Sequence, residues 1–98
     1  TEKLLEEGYE VPVIVHPSAI VSPSAVLEPG CFIMQRAVVN PHTKIEKAAL
    51  INSGAVVDHD SVVEKGAHVG LGSVVKAHCT IKEGHKVEAG EAVWRRTY

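Results

Sequence analysis

From Val15 to Val93 an aliphatic residue stands at every sixth position: Val15, Val21, Leu27, Ile33, Val39, Ile45, Ile51, Val57, Val63, Val69, Val75, Ile81, Val87 and Val93. Four residues after these anchors runs a second series of small residues, Ala19, Ala25, Cys31, Ala37, Thr43, Ala49, Ala55, Ser61, Ala67, Ser73 and Cys79, which breaks at His85 and Glu91. A helix repeats at 3.6 and a strand at 2, so a sustained period of six belongs to neither. It marks an internal repeat with one short strand and one turn per hexad, a parallel β-helix. Three hexads close a triangular coil of about eighteen residues, and coils stack at about the 4.8 Å strand spacing. The pattern predicts an all-β solenoid of a little over four coils, with the anchors filling its shaft and the small residues letting its corners close.

Turn chemistry agrees with this reading. Gly30, Gly54, Gly66, Gly72, Gly84 and Gly90 recur where the chain needs positive φ, and Pro17, Pro23, Pro29 and Pro41 take the preceding position, where a fixed φ helps and no ladder donor is lost. The residues just before the anchors point outward. Taken every eighteen residues they form the columns Ile20, Val38, Val56, Val74 and Ile14, Phe32, Leu50, His68. Apolar columns of this size are expected to be covered by copies of the same chain.

Composition narrows the function. Ninety-eight residues make one modest domain, which a short solenoid rarely stabilises alone. A net charge of −2 and the lack of a basic run argue against nucleic acid and anionic membranes as partners, and no apolar run is long enough to span a bilayer. Cys31 and Cys79 are 48 residues apart, which is not a multiple of eighteen, so they are expected at different corners, unpaired, in a reducing cytoplasmic compartment. In chain order, residues 1–14 read as the end of a preceding domain and a lead-in, with a short helical tail stopped at Gly8. Residues 15–93 are the β-helix, and residues 94–98 form a cap in which Trp94 is expected to close the shaft. On this reading the chain is the carboxy-terminal domain of a longer protein.

The chemistry concentrates between Asn52 and Ser73. Here Asn-x-Gly-Ala-x-Val-x-His-Asp runs from Asn52 to Asp60, and a second histidine, His68, follows nine residues after His59. Together with the approach Gly8-Tyr-Glu-Val-Pro-Val-Ile-Val-His-Pro-Ser-Ala-Ile, this segment resembles the sugar-nucleotide N-acetyltransferases of the PglD type and the related NeuD-type sialic acid O-acetyltransferases, as far as about Gly84. The resemblance implies a left-handed β-helix, a homotrimer, acetyl-CoA as co-substrate and a nucleotide-linked sugar as acceptor. Carried onto matching positions, it implies His59 as general base, Asp60 as its acidic partner and His68 as an acetyl-CoA contact, with Asn52 on the substrate. These residue types suit the reaction: an attacking amine or hydroxyl must lose a proton, and a neutral imidazole oriented by a carboxylate takes one near pH 7. Asp58 is a second candidate for the carboxylate. Gly70, Gly72, Ala77 and Ala89 leave bare walls for a pantetheine arm, although small residues also serve simply to close turns. Lys76, Lys82 and Lys86 are candidates for the CoA phosphates, or an ordinary charged face.

Two alternatives stand beside this reading. His42, Asp60 and His78 fall on one column, and γ-class carbonic anhydrases build a zinc site on the same fold; their third histidine corresponds here to Glu83, so no metal is expected. The other alternative is a trimeric β-helix module without catalysis. The frame also departs from the resembled family after Gly84, which bears on the far end of the CoA site.

Overall fold

The computed structural model describes residues 6–8 and 11–94. Among these residues fourteen strands of two residues each, numbered in chain order, wind into three parallel sheets. Face A carries β1 (Ile14–Val15), β4 (Phe32–Ile33), β7 (Leu50–Ile51), β10 (His68–Val69) and β13 (Lys86–Val87). Face B carries β2 (Ile20–Val21), β5 (Val38–Val39), β8 (Val56–Val57), β11 (Val74–Val75) and β14 (Ala92–Val93). Face C carries β3 (Val26–Leu27), β6 (Lys44–Ile45), β9 (Val62–Val63) and β12 (Thr80–Ile81). Paired residues are eighteen apart, as in Phe32 with Leu50 and Leu50 with His68, so each coil sits directly over the last.

The six-residue pattern produces this section because each side chain class has one place to go. From Ile33 onward every anchor is at most 1% exposed, and so are all the small residues from Cys31 to Cys79. Polar members of the small series are satisfied by backbone: Thr43 Oγ1 donates to the Asp58 carbonyl at 3.0 Å, Ser61 Oγ to that of Lys76 at 2.8 Å and Ser73 Oγ to that of Gly70 at 2.6 Å. The burial of a hydroxyl, costly when unpaired, is thereby offset. The first coil departs from expectation. Val15 is 39% exposed and Val21 and Leu27 are only half-buried, because no described coil stacks over that end.

Between strands, the second turn residue takes left-handed φ at every turn from Gly30 to Gly90. Its amide then donates to a carbonyl nineteen residues back, as in Ala48 to Pro29, Gly66 to Lys47 and Gly90 to Leu71. The corners are therefore hydrogen-bonded columns in their own right. Ser18 and Ser24 supply the first rung with hydroxyls instead, accepting from the amides of Arg36 and His42. Both thiols are buried, at different corners, and neither forms a disulfide. The expected helical tail lies largely outside the described residues; of it, Glu6 is helical, and Glu7 and Gly8 form a turn. Trp94 is 66% exposed, and the rest of the expected cap, residues 95–98, lies outside the described residues. No helix among the described residues is long and apolar enough to cross a membrane.

Candidate active site

Glycine is the cheap solution for a left-handed turn, since an L side chain there costs about 1–2 kcal/mol. The corner joining face A to face B uses it at Gly54, Gly72 and Gly90, and the corner joining C to A at Gly30, Gly66 and Gly84. Among the described residues the corner joining B to C never does. Its left-handed residues are His42 (φ 59°), Asp60 (φ 58°) and His78 (φ 61°). Histidine and aspartate tolerate this conformation better than most residues, yet confining them to one corner gathers the chain's chemistry along one edge.

At that edge His59 Nδ1 lies 2.8 Å from Asp60 Oδ2, with both side chains about half exposed. A carboxylate only accepts, so it fixes the neutral ring with its proton on Nδ1 and leaves the Nε2 lone pair turned away from the pair. The hydrogen bond to Asp60 raises the His59 pKa above its ordinary value, and the same bond holds the Asp60 carboxyl below its own. Asp58 is occupied elsewhere: its Oδ1 accepts the His59 amide at 2.8 Å and the Asn40 side-chain amide at 3.1 Å, which pins the turn. One coil further, the ring of His78 meets that of His59 edge to face, with centroids 5.2 Å apart. His59, Asp60 and His78 each present a ligand-capable atom within 4.8 Å of the other two. The expected column of His42, Asp60 and His78 exists, but the side chains brought together are His59, Asp60 and His78.

His68 stands on face A, which is the side of the triangular section opposite the B–C corner. Its Nε2 is 3.3 Å from Asn52 Nδ2, and Asn52 Oδ1 accepts the Ser53 amide at 2.7 Å, so the Asn52 NH₂ group is aimed at the ring. Partial burial, and then the charge of Lys86, which pairs with His68 in the sheet, lower the His68 pKa. Donation from Asn52 requires the neutral ring, in agreement with that shift.

Known proteins supply the context for this geometry. No protein-family model and no curated protein sequence matches the chain. Solved structures do. The acetyltransferase domain of PglB from Neisseria gonorrhoeae matches at 26% identity with a TM-score of 0.80, over 99% of this chain and 56% of that one. PerB from Caulobacter crescentus, in complex with CoA and GDP-perosamine, matches at 33% identity and a TM-score of 0.69, over 98% of this chain and 55% of that one. The PglB domain in complex with acetyl coenzyme A matches at 27% identity with a TM-score of 0.67, over 93% of this chain and 50% of that one. The chain is a structural match to sugar acetyltransferase β-helix domains. It spans about half the length of these solved chains.

Against this acetyltransferase frame, the four small residues expected along a CoA arm divide. Ala77 lies on the B–C corner, half-buried, beside His78. Gly72 and Ala89 lie on the A–B corner, exposed, and so apart from His59 within one chain. Gly70 is buried, and a Cβ there would sit 2.3 Å from the Val87 carbonyl oxygen, so the backbone of the next coil, not an open groove, fills its side-chain space. Two contacts escape a reading by residue type, Asn52 to His68 and His59 to His78. They are 16 and 19 residues apart, and only the eighteen-residue coil makes them neighbours.

Proposed function

We propose that this chain is the β-helix part of an acetyl-CoA-dependent acetyltransferase that acts on an amino or hydroxyl group of a nucleotide-linked sugar. The observation that carries the reading is the His59–Asp60 pair, 2.8 Å apart on an exposed turn, in a chain that matches acetyltransferases with CoA, acetyl coenzyme A and a nucleotide sugar bound. In the reaction the acceptor nitrogen or oxygen attacks the thioester carbonyl carbon, His59 Nε2 takes the proton released, the carbon–sulfur bond breaks, and the CoA sulfur leaves as thiolate to be protonated. Asp60 holds the ring in the tautomer that leaves Nε2 basic and stabilises the imidazolium once formed. His68 contacts the donor, held by Asn52.

Because His59 and His68 occupy opposite sides of the shaft, a site that uses both takes them from different copies. The left-handed coil, the homotrimer and the nucleotide-sugar acceptor belong to this reading. So does acetyl-CoA with no metal in the chemical step. In the intact protein, His59→Ala is expected to lower transfer by about 10²- to 10⁴-fold, roughly 3 to 5 kcal/mol of barrier, with acetyl-CoA affinity retained. His68→Ala is expected to weaken acetyl-CoA binding first. Steady-state kinetics together with calorimetric titration of acetyl-CoA separate the two, and parental turnover in His59→Ala overturns the base assignment.

A further inference from the structure

The B–C corner holds a group of side chains that proton transfer does not use in full. His59, Asp60 and His78 offer three ligand atoms within 4.8 Å of one another. Around zinc, with ligands at 2.0–2.1 Å, tetrahedral donors stand about 3.4 Å apart, so small side-chain rotations bring these three onto one ion. The backbone already holds them in register. The His78 amide donates to the His59 carbonyl at 3.2 Å, fastening one turn over the other, and Asp60 and His78 share the left-handed conformation at 58° and 61°. The two imidazoles stand nearly perpendicular, at 87°.

We infer that the B–C corner is a binding site for a zinc-class divalent ion, held by His59, Asp60 and His78. Two imidazoles and one carboxylate are the donors that borderline metals take, whereas magnesium and calcium demand oxygen ligands. Three protein ligands leave a coordination position open, and the exposure of all three side chains gives the ion a path in. His42, a coil earlier on the same column, stands outside the group. An ion that bridges His59 and Asp60 displaces the hydrogen bond between them, so metal and proton compete for the pair. Inhibition of acetyl transfer by the ion follows from this competition; it rests on the proposed function, whereas binding does not.

The test is titration of zinc, and of cobalt(II) as a spectroscopic reporter, into the intact, untagged, chelator-treated protein and its His78→Ala, His59→Ala and His42→Ala variants, with circular dichroism as the folding control. One ion per chain is expected, weakened at least about tenfold by His78→Ala and by His59→Ala and unaltered by His42→Ala, with cobalt absorption bands of low coordination number. The assignment is overturned by absence of saturable uptake, by uptake that survives both His78→Ala and His59→Ala, or by equal dependence on His42. Zinc inhibition in the parent that is relieved in His78→Ala is the activity readout. Absence of transfer altogether would remove the proposed function and leave the binding result standing.

Discussion

At the scale of single residues, what a position tolerates is set by what lies within a few ångströms of it. Gly70 is the sharpest case. Its missing Cβ would meet the Val87 carbonyl oxygen at 2.3 Å and the Ala89 nitrogen at 2.9 Å, both of them backbone, so neither can swing aside. Gly70→Ala is expected to destabilise the fold by about 1–3 kcal/mol or more, read from the denaturant midpoint. By contrast, a Cβ at Gly72 meets nothing within 4 Å, and only its left-handed φ of 64° disfavours a side chain. Cys31 is governed by burial, which raises its thiol to about 11 from the ordinary 9.0. Because the folded pKa is raised, this group's contribution to stability is fully present below pH 9.0 and declines as pH rises through about 11. The native protein is expected to leave Cys31 unreacted with Ellman's reagent at pH 8 and to react on addition of denaturant; rapid native labelling would contradict the burial argument.

At the scale of the element, the repeating unit is a strand, a turn and the amide that ties this turn to the one nineteen residues earlier. Among the described residues Ala48 is the one left-handed turn residue that has neither glycine's freedom nor a functional group, at φ 60°. Relief of its Cβ clash, less the chain entropy that glycine adds to the unfolded state, leaves a net gain of roughly 0.5–1 kcal/mol for Ala48→Gly. A melting temperature about 2–8 °C higher is the expected reading. This unit also explains what the sequence made legible. The anchors and small residues were readable because burial forces a six-residue period on them, and His59–Asp60 because the two are adjacent in the chain. Which corner a turn residue occupies depends on its position modulo eighteen, which residue type does not reveal. Thus residue type alone grouped Gly72 and Ala89 with Ala77, whereas the coil sets them on a different corner, and it could not show that the next coil fills the side-chain space of Gly70. The exposed first-coil anchors were hidden for a different reason: the period says which way a side chain points, not whether anything stacks above it.

At the scale of the whole molecule, the three faces differ in what they show to solvent. Face A presents Ile14, Phe32 and Leu50 and then His68 and Lys86, and face B presents Ile20, Val38, Val56 and Val74, with Ile20 67% exposed and Ile14 44%. Face C interrupts its column with Lys44, whose ammonium lies 3.8 Å from Glu28 and 3.7 Å from Glu46 in a surface network that favours water. A closed ring of three copies, which belongs to the proposed function, would cover the apolar stretches of faces A and B by packing face B of each copy on face A of the next, with the A–B corner toward the axis and face C outward. That arrangement would set the B–C corner of one copy beside face A of its neighbour, and so His59 of one copy toward His68 of another, as the proposed acetyl-transfer site requires. Leu71 tests this geometry, because it lies on the A–B corner, 54% exposed, where a three-fold axis would gather three copies of it. Leu71→Asp should place three carboxylates around that axis and dissociate the assembly, while the exposed turn leaves the folding of each coil intact. Light scattering should then move from about three times the chain mass of 10.5 kDa to one, with circular dichroism unchanged and acetyl transfer lost together with the assembly. A parent protein that scatters as a monomer at micromolar concentration, or a Leu71→Asp protein that remains trimeric, would show that the two apolar faces are covered in some other way.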